Sequence, residues 1–107
     1  MPAYLLQVAY TSEAWAAMVK NPQDRIAMVA PAVEGLGGRV IAGYFAFGEY
    51  DVVALLEMPD NVSAAAFAIA AAAGGAVKAV KTTPLMSSAE AMEASRKAAG
   101  SAYRPPQ

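Results

Sequence analysis

From Ala3 to Tyr10 the side chains alternate, with Tyr4, Leu6, Val8 and Tyr10 on one face and Ala3, Leu5, Gln7 and Ala9 on the other. That period of two, in an aromatic and β-branched run, predicts a strand. Thr11-Ser12-Glu13 follows, a capping residue and an early acid, and opens a helix through Trp15, Met18 and Val19. Asn21-Pro22 interrupts it. Pro22 is then expected as the first residue of a second segment through Arg25, Ile26, Val29, Val33 and Leu36. Pro31 should kink or split that segment, and Gly35, Gly37 and Gly38 end it.

Arg39 to Phe47 reads as a second strand and Tyr50 to Glu57 as a third. Only Gly48-Glu49 remains between them, which predicts a tight antiparallel hairpin. Pro59-Asp60-Asn61 closes the third strand and caps a helix to about Ala73, with Phe67 and Ile69 as its largest side chains. Gly74-Gly75 stops it. Val77 to Thr83 gives a fourth strand that Pro84 is expected to end. Ser87-Ser88-Ala89-Glu90 starts a last helix through Lys97. The domain is placed at residues 1–98, with 99–107 as an extended tail.

The predicted order, β-α-β-β-α-β plus a terminal helix, is α+β and ferredoxin-like, with both crossover helices on one face of a four-stranded antiparallel sheet. The other face should then be polar if water covers it. Instead Val52-Val53-Ala54-Leu55-Leu56 is apolar on both sides, and strand two sets Ile41, Phe45 and Phe47 against Val40, Ala42, Tyr44 and Ala46. Something must cover that face. The terminal helix is one candidate, and the sheet of a second copy, packed back to back as in a dimeric α/β barrel, is the leading one.

Composition sharpens this picture. Of 107 residues, 57% are hydrophobic and 16% charged, against about 25% charged in an average domain, so surface is short of charge and an interface is expected. The net charge is −1 with scattered cations, which argues against nucleic acid as a partner. Cys and His are both absent. Thiol chemistry is thereby excluded, and the usual zinc and haem ligands and the commonest acid–base group are missing; no metal or cofactor is expected. Met1 to Leu6 lacks a basic n-region and a long apolar h-region, and the Ala-rich run from Val62 to Val77 is too short to span a bilayer. The expected location is cytoplasmic, without membrane contact.

The run Gly48-Glu49-Tyr50-Asp51-Val52-Val53, leaving a hairpin for an apolar strand, resembles the signature of the GYD domain family. Asn21-Pro22-Gln23-Asp24-Arg25, Gly37-Gly38, Tyr44-Phe45-Ala46-Phe47, Met58-Pro59-Asp60-Asn61, Lys81-Thr82-Thr83-Pro84-Leu85 and the Tyr-Arg-Pro-Pro tail are also similar to that family. The resemblance implies a fold akin to the dimeric α/β-barrel proteins. That wider group includes cofactor-free oxygenases, haem-degrading enzymes and stress-response barrels. Its haem branch relies on an axial His, which this chain lacks.

The candidate site residues each carry a structural reading beside a functional one. Gly48 is expected to supply a positive φ at the hairpin, with Glu49 solvated beside it. Tyr50 and Asp51 point to opposite faces, Tyr50 into the core and Asp51 toward the inter-sheet side. There Asp51 is either a general base or orienting acceptor, or a capping or interface residue. Gln7 shares that face, and Tyr44 with Lys81 or Thr83 would complete a polar patch in an apolar cleft. Trp15 either lines a pocket mouth or is a core or interface aromatic. Arg25 and Arg39 would attract a carboxylate ligand or sit in surface ion pairs; Lys78 faces solvent. Three functions follow: a homo-oligomeric small-molecule-binding or accessory protein with an apolar cleft, a cofactor-independent oxygenase or isomerase with Asp51 as base, and a structural subunit of a larger assembly.

Overall fold

The computed structural model describes residues 1–106. Its elements are β1 (Ala3–Tyr10), α1 (Ser12–Lys20), α2 (Arg25–Gly35), β2 (Arg39–Phe45), β3 (Val52–Glu57), α3 (Asn61–Ala73), β4 (Val77–Leu85) and α4 (Ser88–Ala99). The strands form one antiparallel sheet in the order β2-β3-β1-β4. This is the ferredoxin-like α+β arrangement with a terminal helix.

Alternation sets the two faces. Tyr4, Leu6 and Val8 of β1 and Val52, Ala54 and Leu56 of β3 are buried beneath the helices, while Leu5, Gln7, Val53 and Leu55 are half-exposed on the reverse. Val33 of α2, Met58, and Ala64 and Phe67 of α3 complete the core. Thr11, Asp24, Asp60 and Ser87 each accept the backbone N–H of the third residue of a helix, satisfying donors that have no partner inside the helix.

Several local expectations give way. α2 starts at Arg25, capped by Asp24, rather than at Pro22. Pro31 does not split it: Pro31 and Ala27 are both exposed, so the carbonyl that Pro31 leaves without a donor meets water. β2 stops at Phe45 and β3 begins at Val52, so six residues, not two, form the connection. Gly48 lacks the positive φ expected of it; Gly37 and Gly75 are the glycines with one. Tyr50 lies outside the strand, half-buried and not in the core. A bulge at Ile41 pairs Val40 with Leu56 on the helix face and Ala42 with Leu55 on the open face, so Val40 and Ala42 do not share a side. Pro84 does not end β4, which runs to Leu85. As an edge strand, β4 tolerates a residue with no N–H to give.

The terminal helix does not cover the open face. Every residue of α4 is exposed, and the radius of gyration, 17.0 Å, exceeds the ~13 Å of a compact domain this long. A capping box between Ser87 and Glu90 therefore supports α4 largely by itself. Hydrogen bonds from the Ser63 and Ser87 backbone N–H groups hold the Asp60 and Glu90 carboxyls below their ordinary values of 3.8 and 4.5. A carboxyl whose pKa falls on folding adds stability above its unfolded value and loses it as pH drops. Helicity is thus expected to hold from pH 7 down to pH ~5 and to decline below it. In a circular-dichroism titration, Asp60→Asn with Glu90→Gln should flatten that slope.

Candidate functional site

The two crossover helices leave the middle of the sheet partly uncovered. α2 packs along β2 and α3 along β4, the two edge strands. α2 lies close because Gly43 presents no side chain: a Cβ there would stand 2.8 Å from Cγ2 of Ile26. α3 meets the sheet with small side chains, since eight of its 13 residues are Ala. Between the helices a cleft of about 290 Å³ opens over the central strands, floored by Leu6, Val8, Val52 and Ala54 and walled by Val29 and Phe67 among others.

One end of this cleft is polar. Tyr10, the last helix-side residue of β1, and Arg25, the first residue of α2, line it there. The same two side chains also line a second space of about 160 Å³ reaching toward Ala14, Met18 and Gln23. The Arg25 guanidinium has neutral neighbours, with Nη1 3.3 Å from Gln23 Oε1 and 3.8 Å from Met28 Sδ. Burial pushes the Tyr10 hydroxyl above its ordinary pKa, with Arg25 pulling the other way and the Asp51 charge adding slightly to the rise. Tyr10 therefore stays protonated at neutral pH and can donate.

Asp51 is placed at the C-terminal end of β1. Its Oδ2 accepts the Tyr10 backbone N–H at 2.8 Å and the Trp15 indole N–H at 3.3 Å. The Trp15 ring meets the Tyr10 ring edge-on, 5.7 Å between centroids and 87° between planes. The Asp51 main chain is held as well: its N–H donates to Val8 O and its carbonyl accepts from Ala46 N–H. Asp51 and Trp15 thus brace the outer side of Tyr10, away from the cleft lining.

Gln7, Tyr44 and Lys81 lie on the opposite face. Strand pairing sets Tyr44, Val53, Gln7 and Lys81 in one row across all four strands, with Ala42, Leu55, Leu5 and Thr83 in the next. Gln7, Tyr44 and Lys81 therefore do share a face, but an apolar Val53 separates Tyr44 from Gln7. Arg39 pairs with Glu57 at 2.5 Å on this side. Gly48 and Tyr50 sit in the connection between β2 and β3 and line neither cavity. Sequence reasoning passed over Tyr10, although its position ending the buried side of β1 was visible in the alternation. In the sequence Arg25 is open to either a carboxylate ligand or a surface ion pair, and its place on the cleft wall depends on how α2 lies on the sheet.

Among the described residues no helix is long and apolar enough to cross a membrane, and no three His, Cys, Asp or Glu side chains come together as a metal site. The fold and cleft define a small ferredoxin-like α+β domain. The GYD domain family matches residues 4–95, and the chain belongs to that family. The crystal structure of FFRP-DM1 is similar in fold, with a TM-score of 0.52 at 14% identity, covering 80% of this chain and 100% of that one. No curated protein matches the sequence.

Proposed function

We propose that this protein is a self-associating binding protein that holds a small, largely apolar molecule between its sheet and helices α2 and α3. The observation that carries this reading is the cleft itself. Its volume of about 290 Å³ falls at the small end of ligand pockets, and apolar walls with a few convergent polar groups are their usual character. A void of this size in an ordinary core would forfeit packing along its whole lining. A ligand restores those contacts.

Self-association rests on the open face. Leu5, Val53 and Leu55 occupy its centre on the two middle strands, and Tyr44 is 70% exposed beside them. Apolar surface of this extent is favourably removed from water by a second apolar surface. A second copy supplies a matching one through two-fold symmetry, each sheet packing on the other.

Native mass spectrometry of the protein purified from its host tests both parts together. The expected spectrum shows a dimer or larger multiple of the 11.0 kDa chain carrying bound organic mass. A ligand-free monomer would overturn both parts, and a ligand-free oligomer would overturn the binding reading alone.

A further inference from the structure

Resting on the proposed binding cleft, we infer that its ligand is a monocarboxylate with a short apolar tail, on the order of ten non-hydrogen atoms in all at ~30 Å³ each, its carboxylate held by Arg25 and the Tyr10 hydroxyl.

The Arg25 charge at the polar end forms no ion pair among the described residues, whose ion pairs are Arg39–Glu57 and Lys97–Glu93. A guanidinium carries five N–H donors, and the contacts to Gln23 and Met28 involve Nη1 alone. Two nearby acids are committed elsewhere. Asp24 Oδ1 caps α2 through the Ala27 N–H, and Asp51 Oδ2 takes the Tyr10 and Trp15 donors. Arg25 opens α2 directly after the Asp24 cap, whose carboxylate already serves the positive end of the helix dipole, so the demand for a ligand anion comes from the guanidinium itself.

The lining then selects among anions. Arg25 is the one cation on either cavity wall, so it balances a single negative charge rather than the two of a phosphate monoester. Its planar fork suits a carboxylate, and the protonated Tyr10 hydroxyl supplies a neutral donor beside it. Beyond these two residues the walls of the larger space are Val, Leu, Ile, Phe, Ala and Gly. They offer no side-chain hydrogen bond to a second polar group, so the rest of the molecule is hydrocarbon.

Isothermal titration calorimetry with octanoate, 1-octanol and octylammonium, against the wild-type chain and Arg25→Gln, tests this. Wild type is expected to bind octanoate about tenfold more tightly than octanol, the lower range for a charge-assisted hydrogen bond at a half-exposed site. Arg25→Gln should erase that margin, so that octanoate and octanol bind the variant equally, with native circular dichroism reporting that the variant is folded. Equal wild-type affinity for octanoate and octanol, or tightest binding of octylammonium, overturns the carboxylate assignment and leaves the cleft standing. An octanoate margin that survives in Arg25→Gln overturns the role of Arg25. If none of the three binds, the cleft reading falls too.

Discussion

Asp51→Ala is expected to destabilise the folded chain by about 2–3 kcal/mol, because it strips a charged acceptor from a buried backbone donor. The Tyr10 contact dominates that figure. Its N–H lies 2.8 Å from Oδ2 and belongs to a buried residue, so without the carboxylate it keeps its desolvation cost and loses its partner. The Trp15 indole, at 3.3 Å and 39% exposed, can turn to water and adds little. Asp51→Asn retains a neutral acceptor and should cost about 1 kcal/mol. At about 4–8 °C per kcal/mol for a domain of this size, the alanine variant melts about 10–20 °C lower at fixed protein concentration. Chemical denaturation gives the same comparison through the midpoint at constant slope. An unmoved midpoint would mean that the β1–α1 junction stands without this clamp. The result also bears on chemistry at Asp51. A general base needs a lone pair directed at a substrate proton; with Oδ2 accepting two N–H groups of the scaffold, that role would fall to Oδ1.

What the sequence exposes and what it hides follow one physical division. Features fixed by neighbours along the chain are legible. The bounds of β1 follow from strict alternation. The caps Thr11, Asp60 and Ser87 follow from side chains that reach backbone donors three residues on. Alternation offers Gln7 and Tyr44 as neighbours on one face once a register is assumed, and the pairing sets them in one row with Lys81. Features fixed by contacts distant in sequence are not legible. Ile41 bulges in the pairing of β2 with β3, and nothing local marks it. Gly48-Glu49 looks like a two-residue turn, yet the chain leaves β2 after Phe45. Phe47 is then wholly exposed, and the Asp51 carboxylate reaches β1 instead of its own hairpin. The cleft depends on the spacing of α2 and α3 over the sheet, a distance that no window of sequence contains. Arg25 was therefore readable as a lone arginine but not as a lone charge on an apolar wall.

If the open face is the interface as proposed, Leu55→Lys is expected to leave the subunit folded and monomeric, whereas Leu56→Lys is expected to unfold it. The two residues are adjacent on β3 and point to opposite faces. Leu56 is 3% exposed beneath the helices, so a lysine there meets the core with no counter-charge and the domain unfolds. Leu55 is half-exposed on the open face between Ala42 of β2 and Leu5 of β1. In a free subunit a lysine at this position lays its stem along the sheet and keeps its ammonium in water, at a cost of about 1 kcal/mol or less. The proposed two-fold packing would change that balance, because one substitution would place two ammonium groups in the same apolar interface. Each loses several kcal/mol of hydration with no partner. Even ~4 kcal/mol in total weakens the dimer about 1,000-fold, moving a micromolar constant out of reach of ordinary concentrations. Sedimentation velocity should then find Leu55→Lys as an 11.0 kDa species with native circular dichroism. A Leu55→Lys chain that still sediments as an oligomer would remove the open face as the interface and leave the cleft, on the other side of the sheet, unaffected.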